Sequence, residues 1–100
     1  MQPRYAEPSV LVLASLCGGP KHGYALIKDI EELAGTTLGP GTLYGALARL
    51  ERDGLVEALP SQDRRRPYRL TSAGAAVARA SLEHARHIAT VGLKRLAAFA

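Results

Sequence analysis

The chain has 100 residues, the length of one small domain. It is basic, with 13 lysines and arginines against 9 aspartates and glutamates and a formal net charge of +4, which favours polyanionic partners. A single cysteine, Cys17, excludes an internal disulfide, and no apolar run is long enough to span a bilayer, so we expect a cytoplasmic protein without a membrane partner.

Two helices are predicted in the first third of the chain. The first spans residues 8–16 and is apolar nearly all round, which is typical of a helix at the centre of a core. Cys17 follows it directly, and we expect its thiol to be buried. The second helix spans residues 22–34 and ends at Gly35. Its apolar residues share one face: Leu26, Ile30 and Leu33.

A third helix is predicted from Pro40 to about residue 52. Its leucines recur at helical spacing and form an inner face: Leu43, Leu47 and Leu50. The opposite face carries small and basic residues: Gly41, Thr42, Gly45, Ala48, Arg49 and Arg52. A face of this kind fits the major groove of DNA, with the arginines reaching bases or phosphates. The alternative is an ordinary solvated helix face.

A basic hairpin follows, with strands predicted at residues 55–59 and 66–70. Pro67 is expected on an edge strand, because proline lacks the backbone N–H that a central strand needs. Three arginines lie near the hairpin tip, and we expect phosphate contacts from them: Arg64, Arg65 and Arg66. The alternative is that one of them pairs with Glu57 or Asp63. Arg69, one strand position further on, is expected to be structural.

Two tyrosines and a lysine complete the predicted DNA-binding set. Tyr44 lies at the side of the third helix and Tyr24 near the start of the second, where a phenol can donate to a phosphate oxygen. The alternative for each is a half-buried tyrosine that only packs on the domain. Lys28 lies on the outer side of the second helix.

The last helix is predicted from Thr71 or Ser72 to about residue 98, which makes it roughly 40 Å long. A helix of this length cannot bury its whole apolar stripe against three short helices, so we expect it to pack on a second copy of the chain. The predicted homodimer interface consists of Leu11, Leu82, Ala85, Ile88, Ala89, Leu93 and Leu96. We therefore divide the chain into a winged helix-turn-helix DNA-binding domain (residues 1–71) and a C-terminal dimerisation helix (residues 72–100).

The sequence contains no catalytic or metal-binding constellation. His84 and His87 are three residues apart on the last helix, but no second cluster supplies the remaining ligands that a metal needs. We therefore predict no enzymatic activity, no metal and no cofactor. The predicted fold class is mainly α with a small β-hairpin.

Several short motifs between residues 8 and 75 occur together. They are His22-Gly23-Tyr24, Pro40-Gly41-Thr42-Leu43-Tyr44 with Leu47, Leu50 and Glu51, Gly54-Leu55-Val56, and Arg65-Arg66-Pro67-Tyr68 with Leu70, Thr71 and Gly74. In this combination the sequence resembles the PadR family of bacterial transcriptional regulators. The resemblance implies a homodimeric winged helix-turn-helix repressor whose third helix enters the major groove of double-stranded DNA. It also implies that the hairpin wing contacts the DNA backbone or the minor groove.

The resemblance further implies a small-molecule effector of unknown identity. Some members bind planar aromatic or cationic ligands, and in some of them a tryptophan of the dimer interface stacks on the ligand. This chain has no tryptophan, so it lacks that particular means of binding. The alternative from a different class of protein is a winged-helix adaptor that binds a protein partner through the same face.

Overall fold

The computed structural model describes residues 7–61 and 63–99. The elements are α1 (Pro8–Leu16), β1 (Lys21–His22), α2 (Gly23–Ala34), α3 (Pro40–Arg52), β2 (Val56–Ala58), β3 (Pro67–Leu70) and α4 (Ser72–Ala97). The predicted fold class, mainly helical with a small antiparallel sheet and a long last helix, is confirmed. Residues 1–6, at the start of the first predicted domain, and residue 100, at the end of the second, lie outside the described residues. So does Gln62, between the two predicted strands. None of the described helices combines the length and the apolar character that crossing a membrane requires.

The core lies where α1, α2 and α3 meet. Because α1 is apolar nearly all round, it is buried on most sides, whereas α2 and α3 each bury one stripe. The buried apolar residues are Leu11, Val12, Leu13, Leu16, Leu26, Ile30, Leu38, Leu43, Ala46, Leu47, Leu50, Val56 and Ala78.

Three residues differ in burial from the prediction. Leu33 is 55% exposed, because the last turn of α2 extends beyond the core. The prediction of a buried thiol at Cys17 is wrong: the residue is exposed just after the end of α1, and its Sγ donates to the carbonyl of Leu13 at 3.3 Å. Leu11 is only 6% exposed within its own chain. This corrects its place in the predicted dimer interface, since little of its side chain is left for a partner.

A polar link joins α1 to α2 inside the domain. Ser15 is buried, and its hydroxyl donates to Asp29 Oδ2 at 2.6 Å. Lys21 Nζ donates to the carbonyl of Ser15 at 2.5 Å and lies 3.9 Å from Asp29 Oδ2. The three residues therefore satisfy one another's polar groups at the point where α1 turns into β1.

We expect Asp29→Ala to lower the free energy of unfolding by about 1–3 kcal/mol, because it leaves the buried hydroxyl of Ser15 without its acceptor. Chemical denaturation measures this change. Glu32→Ala removes an exposed carboxylate from the same helix and is the control, with an expected change below about 0.5 kcal/mol. Equal losses in the two variants would contradict the assignment of the link.

The sheet has three strands instead of the predicted two. Its order is β1-β3-β2, and all pairs are antiparallel. The additional strand, β1, has two residues, so it is too short to produce a sequence pattern of its own. Pro67 was expected on an edge but is the first residue of the central strand, opposite His22. A proline is tolerated at that position, and its carbonyl accepts from the backbone N of Leu59 at 2.8 Å.

The start of α4 is fixed by a cap and a close approach. Thr71 Oγ1 accepts from the backbone N of Gly74 at 3.0 Å and donates to the carbonyl of Gly54 at 2.6 Å, so Thr71, one of the two predicted start residues, is the N-cap residue. A Cβ at Gly74 would lie 2.8 Å from the carbonyl carbon of Leu55, so this position admits only glycine. Only the first turns of α4 contain buried residues, Gly74 and Ala78. Beyond them the helix projects from a molecule that measures 56 × 26 × 21 Å.

Candidate nucleic-acid interface

The outer face of α3 is exposed along its length. The helix begins at Pro40 with Gly39 as its N-cap residue, and its leucines hold the inner face in the core. Five residues predicted on the outer face are exposed and Gly45 is half-buried; the exposed ones are Gly41, Thr42, Ala48, Arg49 and Arg52. The structure therefore presents a rigid helix with a small, basic surface to solvent.

The two arginines of this face are available for contacts. The guanidinium of Arg49 extends beside Gly45, since a Cβ added at Gly45 would lie 3.8 Å from Arg49 Nη1. Arg52 Nε lies 3.9 Å from Asp53 Oδ1, and both side chains are well exposed. An exposed pair at this distance contributes little stability, so it does not hold Arg52 in place.

The wing, defined as residues 55–70, carries the arginine cluster. Arg69 Nε donates to Glu57 Oε1 at 2.5 Å across the strands, which agrees with a structural role for Arg69. The arginines near the tip are exposed and, within the described part of the chain, form ion pairs with neither Glu57 nor Asp63: Arg64, Arg65 and Arg66. Their charges are therefore free for an external anion.

The tip of the wing is a tight turn. Asp63 and Arg64 have φ angles of 50° and 65°, in the left-handed region that L-residues seldom adopt. Both residues lie in the segment of residues 59–66 that joins β2 to β3, directly before Arg65 and Arg66.

A cleft of about 280 Å³ lies between α2, α3 and the wing, and we call it the wing cleft. Its lining residues are His22, Gly23, Tyr24, Tyr44, Arg64, Arg65, Arg66 and Tyr68. The structure thus brings together five of the residues predicted to bind DNA, from three separate elements. Three guanidinium groups and three phenols surround the cleft, and none of its lining residues is acidic. This donor set fits an anion.

Tyr44 packs directly on Gly23. A Cβ at Gly23 would lie 2.8 Å from Tyr44 Cζ, so a side chain there would displace the ring. The ring rests on the first turn of α2 while the residue remains 50% exposed and lines the wing cleft. The predicted flanking position of Tyr44 therefore has a second determinant, Gly23, which sequence reasoning missed. The triplet His22-Gly23-Tyr24 was visible, but its contact with α3 was not.

Besides Gly23, two further residues of the wing cleft were not predicted to bind DNA, His22 and Tyr68. Burial raises the pKa of the Tyr68 phenol, and Glu51 and the Tyr44 phenol raise it further, partly offset by the guanidinium of Arg66. The phenol therefore stays neutral at physiological pH and brings an O–H group, rather than a negative charge, to the cleft. Lys28 is exposed one turn beyond Tyr24 on α2 and does not line the cleft.

The distal part of α4 exposes large apolar side chains. Leu93 and Leu96 are each 69% exposed. Of the four other α4 residues predicted in the dimer interface, Ala85 is half-buried and three are exposed: Leu82, Ile88 and Ala89. Phe99 lies exposed beyond the end of the helix. An apolar surface of this extent marks an interaction site.

A second groove, of about 510 Å³, lies between the end of α1, β3 and α4. It is lined by Cys17, Leu70, Ala75, Arg79, Leu82, Glu83 and Arg86. Its leucines and alanine provide an apolar surface with two arginines and one glutamate at its side. Its volume is in the range of small-molecule sites. The α4 residues that line it lie nearer the start of the helix than the exposed leucines of the distal part.

Comparison with known proteins identifies related sequences and folds. A family model described as the transcriptional regulator PadR-like family matches residues 12–80. The chain is 52% identical over 71 residues to an uncharacterized 37.1 kDa protein in transposon TN4556 of Streptomyces fradiae, an alignment that covers 71% of this chain and 21% of that protein. It is 36% identical over 73 residues to the transcriptional activator GvpE2 of Halobacterium salinarum, covering 73% of this chain and 37% of that protein. The chain thus spans well under half the length of either curated relative.

A solved structure shares the fold over nearly the whole chain. The PadR family transcription regulator from hypervirulent Clostridium difficile R20291 superposes with a TM-score of 0.78 at 27% sequence identity. The superposition covers 92% of this chain and 98% of that one, so the similarity includes the long last helix.

Proposed function

Because the chain belongs to the PadR-like family of transcriptional regulators, we propose that it binds an inverted-repeat operator in double-stranded DNA as a homodimer and represses transcription. Members of this family are regulators of transcription and not enzymes. The observation that supports DNA binding best is the exposed basic face of α3 beside an arginine-bearing wing.

In this proposal α3 enters the major groove. Gly41, Gly45 and Ala48 allow the helix axis to approach the base edges, because their side chains occupy little space. Arg49 and Arg52 then reach bases or phosphates, and arginine is the side chain that most often reads guanine in the major groove. The buried inner face of α3 holds the helix rigidly for this contact.

The groups around α3 contact the DNA backbone. The wing cleft lies beside α3 and offers three arginines to phosphates, and Lys28 and Tyr24 extend the same surface along α2. If a dimer makes six to ten phosphate contacts, its affinity falls by roughly a thousandfold or more between low and physiological salt. Steep salt dependence is therefore part of the proposal.

We expect Gly23→Ala to weaken DNA binding about three- to tenfold with little loss of stability, because the new methyl group displaces the Tyr44 ring from its place beside the wing cleft. Titration with a DNA duplex and thermal denaturation measure the two quantities. Tyr44→Ala should weaken binding to a similar extent. Adding Gly23→Ala to Tyr44→Ala should then cost nothing more, and additive losses would contradict this explanation.

The homodimer forms through the exposed apolar face of α4. We expect a second copy of the chain to cover this face, which continues to the end of the helix. An antiparallel or crossing pair of identical α4 helices would bury the face on both chains at once. Symmetry then presents two α3 helices to the DNA, one helical turn or roughly 34–36 Å apart. This arrangement requires an inverted-repeat operator.

An effector would bind in the groove between α1, β3 and α4. Its apolar surface with flanking arginines suits a small apolar molecule that carries a negative charge. The groove adjoins both the DNA-binding domain and the helix that carries the dimer contact. A ligand there would change the angle between the two, and so the spacing of the α3 pair.

The experiment that tests this function is a titration of the protein against a labelled duplex from its own upstream region, with random DNA as competitor, at two salt concentrations. Tight binding that survives the competitor and weakens with salt supports a sequence-specific regulator. Absence of binding at low salt supports the adaptor alternative. Transcription from the bound duplex in vitro then tests repression, since a relative carries the name transcriptional activator GvpE2.

A further inference from the structure

His22 lies where α2, β1 and the wing meet, and its two ring nitrogens face different partners. Nδ1 accepts from the backbone N of Ala25 at 3.3 Å, so His22 is the N-cap residue of α2. Nε2 lies 3.4 Å from Nη1 of Arg65, on the wing. One imidazole thus touches both a helix end and an arginine of the cluster.

The cap determines where the ring proton lies. A neutral imidazole has one donor nitrogen and one acceptor nitrogen. Because Nδ1 accepts the cap bond, the proton is on Nε2, and Nε2–H faces the Nη1–H group of Arg65. Two donors 3.4 Å apart cannot bond to each other, but both can donate to a single acceptor atom placed beside them.

The groups around this donor pair leave the acceptor position to an outside anion. The titratable or charged side chains near His22 are Lys21, Tyr24, Tyr44, Asp63, Arg64, Arg65, Arg66 and Tyr68. Asp63 is the only acidic group among them, and within the described residues it forms no ion pair with Arg65 or His22. Among the described residues, none that lines the wing cleft, which the pair borders, is acidic.

We propose that His22 Nε2–H and Arg65 Nη1–H donate together to one phosphodiester oxygen of bound DNA in the wing cleft. The cap bond to Ala25 fixes the imidazole in the tautomer that this contact needs. His22 is then both a structural residue of α2 and a phosphate-binding residue. The inference rests on the proposed DNA-binding function and adds a specific contact to it.

Two substitutions separate the role of Nδ1 from the role of Nε2. Asparagine places its side-chain oxygen near the position of Nδ1 and is among the best N-cap residues, but it has no group at the position of Nε2. Glutamine is one methylene longer, so its amide nitrogen reaches the position of Nε2, but it is a poor N-cap residue. His22→Asn therefore keeps the cap and loses the phosphate contact, whereas His22→Gln does the reverse.

The test uses a random-sequence duplex of about 30 base pairs, roughly three helical turns, at low salt, since a phosphate contact does not depend on base sequence. We expect His22→Asn to keep the thermal midpoint and bind about three- to tenfold more weakly. We expect His22→Gln to bind like the wild type while its thermal midpoint falls by about 4–8 °C. Arg65→Ala should lower both the affinity and the salt slope, whereas His22→Asn should leave the slope unchanged because it removes no charge.

The outcomes separate this inference from the function on which it rests. If the wild type does not bind the duplex at low salt, the proposed function fails together with the inference. If the wild type binds and His22→Asn binds equally well, the phosphate contact of His22 is refuted and DNA binding stands. Equal weakening in His22→Asn and His22→Gln would also refute it, because a donor at the position of Nε2 would then not matter.

Discussion

Replacing Arg49 and Arg52 together by alanine is expected to reduce the affinity for the operator by about a hundredfold or more while leaving the fold and the dimer intact. Each arginine that reads a base contributes about 1–3 kcal/mol of binding free energy, and the two losses act together. The fold should survive because both side chains are exposed and, among the described residues, Arg52 pairs only with Asp53, at 3.9 Å. Fluorescence anisotropy with the operator duplex measures the affinity, and thermal denaturation checks the fold.

The control for this variant removes the same charge elsewhere. Arg79 and Arg86 are exposed on α4 and line the second groove, none of whose lining residues belongs to α3 or to the wing cleft. Their double replacement by alanine lowers the net charge equally, so it reports the general electrostatic contribution. We expect it to weaken operator binding by less than about tenfold. Operator affinity equal to the wild type in the Arg49→Ala, Arg52→Ala variant would refute α3 as the reading helix.

Replacing Leu93 and Leu96 by aspartate should dissociate the proposed homodimer. Both side chains lie exposed on the distal part of α4, and the proposed dimer buries them on both chains. Four carboxylates would then enter an apolar contact, so we expect the dimer dissociation constant to rise by at least about a thousandfold. Sedimentation velocity measures the oligomeric state. Operator affinity should fall in parallel, because two half-sites can no longer be bound as one unit.

Thr90→Asp with Ala98→Asp is the matched control for the dimer variant. Thr90 is exposed on α4 and Ala98 is exposed directly after its last residue, both away from the stripe of Leu93 and Leu96, and the substitutions add the same two negative charges. We expect this variant to remain dimeric. Dissociation of both variants would attribute the effect to charge, and persistence of the dimer in Leu93→Asp, Leu96→Asp would refute the α4 interface.

The sequence allowed the helices to be predicted within one or two residues, because their signals are local. Pro8 and Pro40 occupy first helical turns, Gly35 ends α2 in the left-handed conformation, and Thr71 caps α4. The buried face of α3 was also predictable from local sequence. Its leucines recur with the helical period of about 3.6 residues, so they lie on one side of the helix, and that side is the one that packs on the core.

The features that sequence reasoning missed depend on contacts between distant residues. The strand β1 exists only because β3 lies beside it, and two residues carry no periodic pattern. Periodicity likewise does not tell where a core ends along a helix, so Leu33 follows the apolar stripe of α2 and is nevertheless exposed. Cys17 follows an apolar helix in sequence but lies outside the core for the same reason.

The wing cleft depends both on local sequence signals and on contacts between distant residues. Its arginines and two of its tyrosines were predicted one by one from residue type and position. Their convergence, and the addition of His22, Gly23 and Tyr68, became visible only with the packing of α3 and the wing on the first turn of α2. Local sequence therefore predicted the residues proposed to bind DNA, whereas the arrangement that fits a phosphate became visible only in three dimensions.

Selection of binding sites from a pool of randomised duplexes tests the central claim most directly, because it needs no knowledge of the operator. A symmetric dimer that reads DNA through two α3 helices should enrich an inverted repeat whose half-site centres are about 10 base pairs apart. The Arg49→Ala, Arg52→Ala variant should lose that enrichment. A pool that stays random after selection with the wild-type protein, or that yields a single asymmetric site, would contradict the claim.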